Sequence, residues 1–533
     1  MPELSQSTQK LIQQYQLWHQ SLQPEQGTTI HVDEVASRVA AFYEKIRGII
    51  DWKEEHLLKR GAIERMLKRK LFSKINLIEG DFSGLSAESL VLELIRGGHF
   101  PNDEIEELKI EEVQKTIDKY IFVLNNAPAS QDGSGKIQLC NWLSSIAACE
   151  IEETLSSSLR ERALIDYMFE IIKERISFSK NITEETKEAQ IYTAVQRSLF
   201  NLDSSTISYH LLKYKYPDWK NLNQEQLNEI TENVYSIWKD LENNLNHPLG
   251  DKFYQICKKN SALFLLLGDI IPNHLTNINE DIANPESLEK LIRKAYGKRL
   301  GTLKSRLVRA AFYSTLSIFL TNIFSLLALE IPFTKIVTGE FNFFAVGVDI
   351  FVPTLLMFFL VISISPPKKE NLEKIVIETI KIVYENKAKE TYEIKSYRKK
   401  GAIFDFAINF LYSLFFCSLM ASIIWGLYKI NFPILSYVIF IIFLSLIAFA
   451  GAKIRQRAKE LHVIEEKETF FHFLFDPFSI PVIQLGKWLT TRWKKYNVIA
   501  AFFSALIDMP FFVFVEFIEQ WRYFLKEKKE KIY

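Results

Sequence analysis

Glycine supplies only 19 of the 533 residues and proline 16, against roughly 7% and 5% in average proteins. Alternating β-branched runs are equally scarce. The chain therefore lacks the turn chemistry and the period-two pattern of a β fold, and an all-α fold is expected. Four cysteines (Cys140, Cys149, Cys257, Cys417) show no C-x-x-C spacing, which argues against a disulfide scaffold or a zinc ribbon. The opening MPELSQSTQKLIQQ has no basic stretch followed by an apolar one. No cleavable signal peptide is expected, and the N-terminal region should remain in the cytoplasm.

Recognisable chemistry is missing too. Gly133, Gly135 and Lys136 imitate the end of a phosphate-binding loop. Ser130, however, stands where that pattern needs glycine, and Ile137 where it needs Ser or Thr. None of the nine histidines has a glutamate three residues before it, and no two lie four apart on a helix. Di-iron and HExxH zinc sites are thereby excluded. No GxSxG elbow occurs. The acid pairs Glu150/Glu153 and Glu106/Glu107 read as solvated faces, as does the basic run Lys59, Arg60, Arg65, Lys68, Arg69, Lys70 and Lys74. No catalytic, cofactor-binding or metal-binding residue is assigned, and no cofactor is expected.

What the chain does have is four apolar runs, at 310–329, 343–364, 403–427 and 433–451. Each is long enough, at 1.5 Å per residue, to cross about 30 Å of hydrocarbon. Charge divides at the same place. Residues 1–285 carry 31 Lys+Arg against 42 Asp+Glu, a net of −11, and residues 286–533 carry 34 against 22, a net of +12. An acidic domain is a poor partner for nucleic acid.

The basic half is patterned. Lys290, Arg293, Lys294, Lys298, Arg299, Lys304, Arg306 and Arg309 precede the first run, interleaved with apolar residues at helical spacing. They predict a basic amphipathic juxtamembrane helix over 286–309 that meets an anionic inner leaflet. The loop 366–401 holds ten Lys/Arg, whereas 330–342 and 428–432 hold one lysine each. That alternation predicts four transmembrane helices with both ends in the cytoplasm.

The expected organisation is an all-α cytoplasmic domain over 1–285 (with a flexible break near 125–136), the juxtamembrane helix, four spans, and a C-terminal region 452–533. Helical patterns are expected at 32–71 (one helix, or two broken at Gly61), 137–178, 184–200, 205–214, 223–245 and 251–271. The apolar segment 498–518 carries Asp508 and Pro510 near its middle and basic residues on both flanks. It is expected to be re-entrant or interfacial.

Polar residues inside spans are functional candidates by default. Asn322 and Asp349 lie at matching depths in the first and second runs, so they form a candidate intramembrane pair. Ser314, Ser317, Thr321 and Ser325 make a stripe suited to helix packing, as do Ser413, Cys417 and Ala421. Asp405 and Asn409 share a face near one end of the third run.

The leading functional expectation is a multi-pass cell-membrane protein that presents a helical cytoplasmic domain to a protein partner. An oligomeric channel or transporter using Asn322 and Asp349 is the alternative. A membrane-associated enzyme with a site assembled from distant residues is a third reading.

Overall fold

A computed structural model of the chain describes residues 3–21, 28–32, 55–75, 85–128, 134–156, 158–178, 183–275, 278–327, 331–332, 343–362, 367, 369–384, 391–394, 402–430, 432, 434–463, 479–491 and scattered positions from 517 onward. Nearly all of it is helix. Two compact units emerge: Ser5–Lys258 with Ala388–Ile394 and Ile499–Tyr533, and Met1–Leu4 with Lys259–Lys387 and Lys395–Val498. Residues on both sides of the break at 125–136 belong to the first.

The first unit contains α1 (Gln6–Ser21), α2 (Glu55–Ile75), α3 (Ala87–Arg96), α4 (Leu108–Asn126), α5 (Ser134–Leu155), α6 (Leu159–Arg175), β1 (Ile176–Phe178), α7 (Glu184–Phe200), α8 (Ser204–Lys215), α9 (Gln224–Glu232) and α10 (Val234–Leu245). Helix α5 is central, with α2, α4 and α8 packed on it. It buries Leu139, Leu143, Ile146, Ala147 and Ile151, which recur at helical spacing. Side chains of Ser86, Thr183, Asp203 and Asn223 cap the first turns of α3, α7, α8 and α9, where free N–H groups need acceptors. Gln190 and Arg197 of α7 donate to Asn244 O and Leu245 O, at 2.8 and 3.1 Å. They satisfy carbonyls that the end of α10 leaves without helical partners.

Of the two readings of 32–71, the described part, α2 from Glu55, runs through Gly61 without a break, because a single glycine weakens a helix without ending it. Two other expectations about helix limits are corrected. The pattern 137–178 is two helices and a strand, and 223–245 is two helices meeting at Asn233. Strand β1 pairs in parallel with β2 (Tyr392–Ile394), Ile176 opposite Tyr392 and Phe178 opposite Ile394.

The chain continues through α11 (Gly250–Ile270), α12 (Ile278–Ala283), α13 (Pro285–Ser325), α14 (Phe343–Ile362), α15 (Lys369–Val383), α16 (Ala402–Lys429) and α17 (Ile434–Ala458). The run Leu263–Leu267 of α11 is buried throughout, as core. Helix α13 is capped by Asn284 with Pro285 in its first turn and runs for 41 residues, about 61 Å at 1.5 Å per residue. The juxtamembrane segment and the first apolar run are therefore one helix. Among the described residues, three helices are long and apolar enough to cross a membrane, spanning Pro285–Phe324, Phe406–Lys429 and Ser436–Leu461. The apolar stretch Gly347–Leu360 of α14 is shorter.

Two apolar clusters tie these helices together. Met357, Ile447 and Ile454 pack with Leu307, Ile318, Leu356 and Ala450, joining α13, α14 and α17. Leu427, Phe432 and Phe440 pack with Val348, Ile423, Ile430 and Tyr437, joining α14, α16 and α17. Gly451 lets α17 approach α14, since a Cβ there would stand 3.1 Å from Leu360 Cδ1. Elsewhere the apolar faces look outward: Phe312, Phe324, Phe406 and Trp425 are each more than 60% exposed.

The polar ends of this unit interlock. Arg299 of α13 pairs with Asp269 at 2.6 Å and with Glu460 at 3.0 Å. Arg293 grips Glu373 of α15 through both terminal nitrogens, at 2.9 and 2.7 Å. Asn371 donates to Leu461 O at 2.6 Å and accepts from Val463 N at 2.8 Å. The segment 498–518, apart from Phe517, lies outside the described residues. So do the side chains of Ser317, Thr321, Ser325 and Asp405.

Candidate functional site

The structure brings Asn322 and Asp349 together where α13 packs on α14, with relative exposures of 0% and 1%. The contact runs to the backbone. Asn322 Nδ2 donates to the main-chain carbonyl of Asp349 at 3.3 Å. Proline explains this. In a helix the carbonyl of residue 349 should accept from the N–H of residue 353, and Pro353 has none. A side chain on a neighbouring helix restores the missing donor, as happens where proline interrupts helices in apolar surroundings. One turn on, the Thr354 hydroxyl donates to Ile350 O at 2.7 Å. Asn322 Oδ1 is enclosed with no hydrogen-bond partner among the described residues.

The eight basic residues of α13 divide into two groups. Arg293 and Arg299 are committed to ion pairs. Burial works against the charge of Arg299, but Asp269 and Glu460 outweigh it and raise its pKa. Lys290, Lys294, Lys298, Lys304, Arg306 and Arg309 are exposed and make no ion pair among the described residues. Past Glu289, α13 contains no acidic residue.

A third polar assembly lies in the first unit and corrects the solvated-face reading of Glu150 and Glu153. Glu150 is 2% exposed. Its carboxylate accepts from Lys119 Nζ at 2.5 Å, Tyr120 OH at 2.7 Å and Trp219 Nε1 at 3.2 Å. Lys119 also donates to Trp219 O at 2.9 Å. Burial lowers the pKa of Lys119 against the pull of Glu150. Three residues on, Glu153 accepts from Lys213 Nζ at 2.6 Å and from Tyr209 OH at 2.6 Å. Desolvation opposes its ionisation, yet Lys213, Lys220 and Tyr209 draw its pKa down to about 2. Glu150 shares a helix face with Leu143, Ile146 and Ala147, so a glutamate on an apolar stripe was the available signal.

Three residues of the basic run of α2 pair within the unit. Arg60 binds Asp203 at 2.5 Å and Glu64 at 3.3 Å, Lys68 binds Glu64 at 2.7 Å, and Arg69 pairs with Glu93. Nearby, burial lifts the pKa of Glu152 to about 8, against Arg60 and Lys59. Burial also lowers His210 to about 4, where its Nδ1 lies 2.7 Å from Gln196 Oε1. Cavities beside this network hold about 10 and 20 Å³, lined by residues such as Tyr120, Trp142 and Leu143. That is room for about one water. Among the described residues, no three His, Cys, Asp or Glu side chains gather as a metal site.

No family model, no curated protein and no solved structure matches this chain.

Proposed function

We propose that the chain is a four-span cell-membrane protein that presents a helical cytoplasmic unit to a protein partner. The observation that carries this reading is the interlock of polar ends. Asp269, Arg293 and Arg299 precede the first apolar run, Asn371 and Glu373 lie between the second and third, and Glu460 to Val463 follow the fourth. Groups in hydrogen-bond contact share one side of a bilayer, so the chain crosses an even number of times between each set. Two hairpins, α13–α14 and α16–α17, meet that condition with the fewest crossings. The β1–β2 pairing supports the same parity, since it joins residues 176–178 to 392–394. The basic character of the segments on that side supports a cytoplasmic assignment for them and for both termini.

The test of topology is a reporter series. Fusions after Thr338 and Asn431 should report outside, and fusions after Lys387 and Lys467 inside. An inside signal at Thr338 overturns the assignment. For the interaction role, crosslinking in cells should capture a partner on the first unit, and repeated capture of none argues against it. The burial of Asp349 favours one alternative, an oligomeric channel or transporter. Flux through reconstituted liposomes that is abolished by Asp349→Ala would replace the scaffold reading.

A further inference from the structure

One face of α13 changes character along its length without changing direction. Lys298, Thr302, Ser305, Arg309, Phe312, Leu316 and Leu320 step by fours and threes, so they form a single stripe. All of them are exposed. Gly301 adds open space beside Thr302, because a Cβ there would meet nothing within 4 Å. The Thr302 hydroxyl is turned back onto Lys298 O at 3.0 Å, while Ser305 and Arg309, one turn apart, face outward. Below Arg309 the stripe is wholly apolar: Phe312 is 64% exposed, Leu316 40% and Leu320 56%. Eleven residues separate Arg309 from Leu320, about 16 Å of helix, which is about one leaflet of hydrocarbon.

We propose that this stripe binds one anionic phospholipid, its phosphate against Arg309 and Ser305 and an acyl chain along Phe312, Leu316 and Leu320. The inference rests on the membrane reading above and deepens it. Charge complementarity selects the occupant. Six basic residues of α13 have no ion pair among the described residues, and the helix carries no acid beyond Glu289 to neutralise them. An anion joined directly to an apolar tail of leaflet length is what a phospholipid offers. A soluble acidic protein would leave the lower half of the stripe uncovered. Arg309 supplies a guanidinium fork suited to phosphate oxygens, and Ser305 a hydroxyl donor. Lys298 stands about 16 Å above Arg309, beyond a Debye length of about 8–10 Å, so its attraction to the phosphate layer is largely screened.

The test uses the full-length protein purified in detergent and titrated with phosphatidylglycerol or phosphatidylcholine, with adducts counted by native mass spectrometry. The wild type should retain phosphatidylglycerol preferentially. Ser305→Ala/Arg309→Gln should cut that retention by about five- to tenfold, from about fivefold per basic residue at the surface, while Arg309→Lys keeps most of it. Lys290→Gln/Lys304→Gln removes two exposed charges on other faces of the helix and should change retention by less than about twofold. Equal losses in the two double variants would mean diffuse electrostatics and no site. Absence of any preference for the anionic lipid in the wild type would also overturn the proposal. Alkaline carbonate separates the two levels. Release of the wild-type chain from membranes would sink the membrane reading itself, whereas a chain that stays embedded without lipid preference sinks the site alone.

Discussion

Glu150 and Asp349 are both enclosed carboxyl residues, and the units that hold them treat polarity in opposite ways. Around Glu150, three donors from α4 and the segment Trp219–Asn221 converge on the carboxylate, and large hydrophobics such as Tyr15 and Tyr209 point inward. Around Asp349, the hydrogen bond from Asn322 serves the main chain, and large hydrophobics such as Phe351 and Phe359 point outward. In the four-span reading, the difference follows from what surrounds each unit. Where water surrounds a fold, a buried charge must bring its partners along. Where the surroundings are apolar, an unmatched peptide group is already the dominant penalty, so side-chain amides are spent on the backbone.

The largest test of that contrast is Glu150→Ala. Stripping the carboxylate leaves Lys119 as a buried charge without its counter-ion, and the loss should be about 3–5 kcal/mol. Denaturant melts of the detergent-solubilised protein would measure it. Replacing both partners, Glu150→Leu with Lys119→Met, should recover a substantial part. A double variant as unstable as the single one would mean that packing, not charge, sets the loss.

Acidity probes the same unit, at up to about 1.4 kcal/mol per pH unit for each group. His210 holds its folded pKa near 4, below the usual 6.5, so stability falls as pH drops from about 6.5 to 4. Glu153, drawn down to about 2 from 4.5, adds a further fall below about 4.5. Glu152 runs the other way. Lifted to about 8, it keeps a proton that the unfolded chain releases, so stability also falls as pH rises from about 4.5 to 8. The His210 and Glu152 slopes oppose each other between about pH 4.5 and 6.5, which leaves a plateau with losses on either side. Thermal midpoints taken at intervals should trace that plateau, and Glu152→Gln should remove the alkaline fall. A monotonic rise up to pH 8 would contradict the assignment.

In the other unit, Asn322→Leu should cost about 0.6–1.7 kcal/mol, the range of hydrogen bonds between helices in apolar media. Adding Pro353→Ala restores the helix's own N–H to Asp349 O, so the double variant should regain most of the loss. Failure of that rescue would return the pair to a role beyond structure. The smallest effect belongs to Lys10–Glu170, the same residue types as Lys119–Glu150 but with side chains 57% and 43% exposed at 3.3 Å. Lys10→Met should move the melt by less than about 1 kcal/mol. A larger shift would break the argument that burial, not pairing as such, sets the scale.

The apolar runs and most helices were legible because each is written locally, in period, caps and hydropathy. Ser86, Asp203 and Asn223 cap the helices that begin beside them, a local relation that needs no distant partner. The fusion of the basic and apolar segments into α13 was not legible, because composition changes near residue 310 while the helical ladder is indifferent to what surrounds it. Glu150 was misread because its partner Lys119 lies 31 residues away and Trp219 lies 69 residues away. The depth match between Asn322 and Asp349 could be read from length alone. That Pro353 directs the amide to a main-chain oxygen required the packed pair of helices.

Strand β1 waits for a partner 216 residues further along the chain. At synthesis rates of about 5–20 residues per second, that is roughly 10–40 seconds during which its edge stays open. In the four-span reading, closure also requires the intervening hairpin to have threaded and returned. In that reading the three-residue ladder forms only once the first hairpin has returned to the side it left, with α16 and α17 still to follow in the chain.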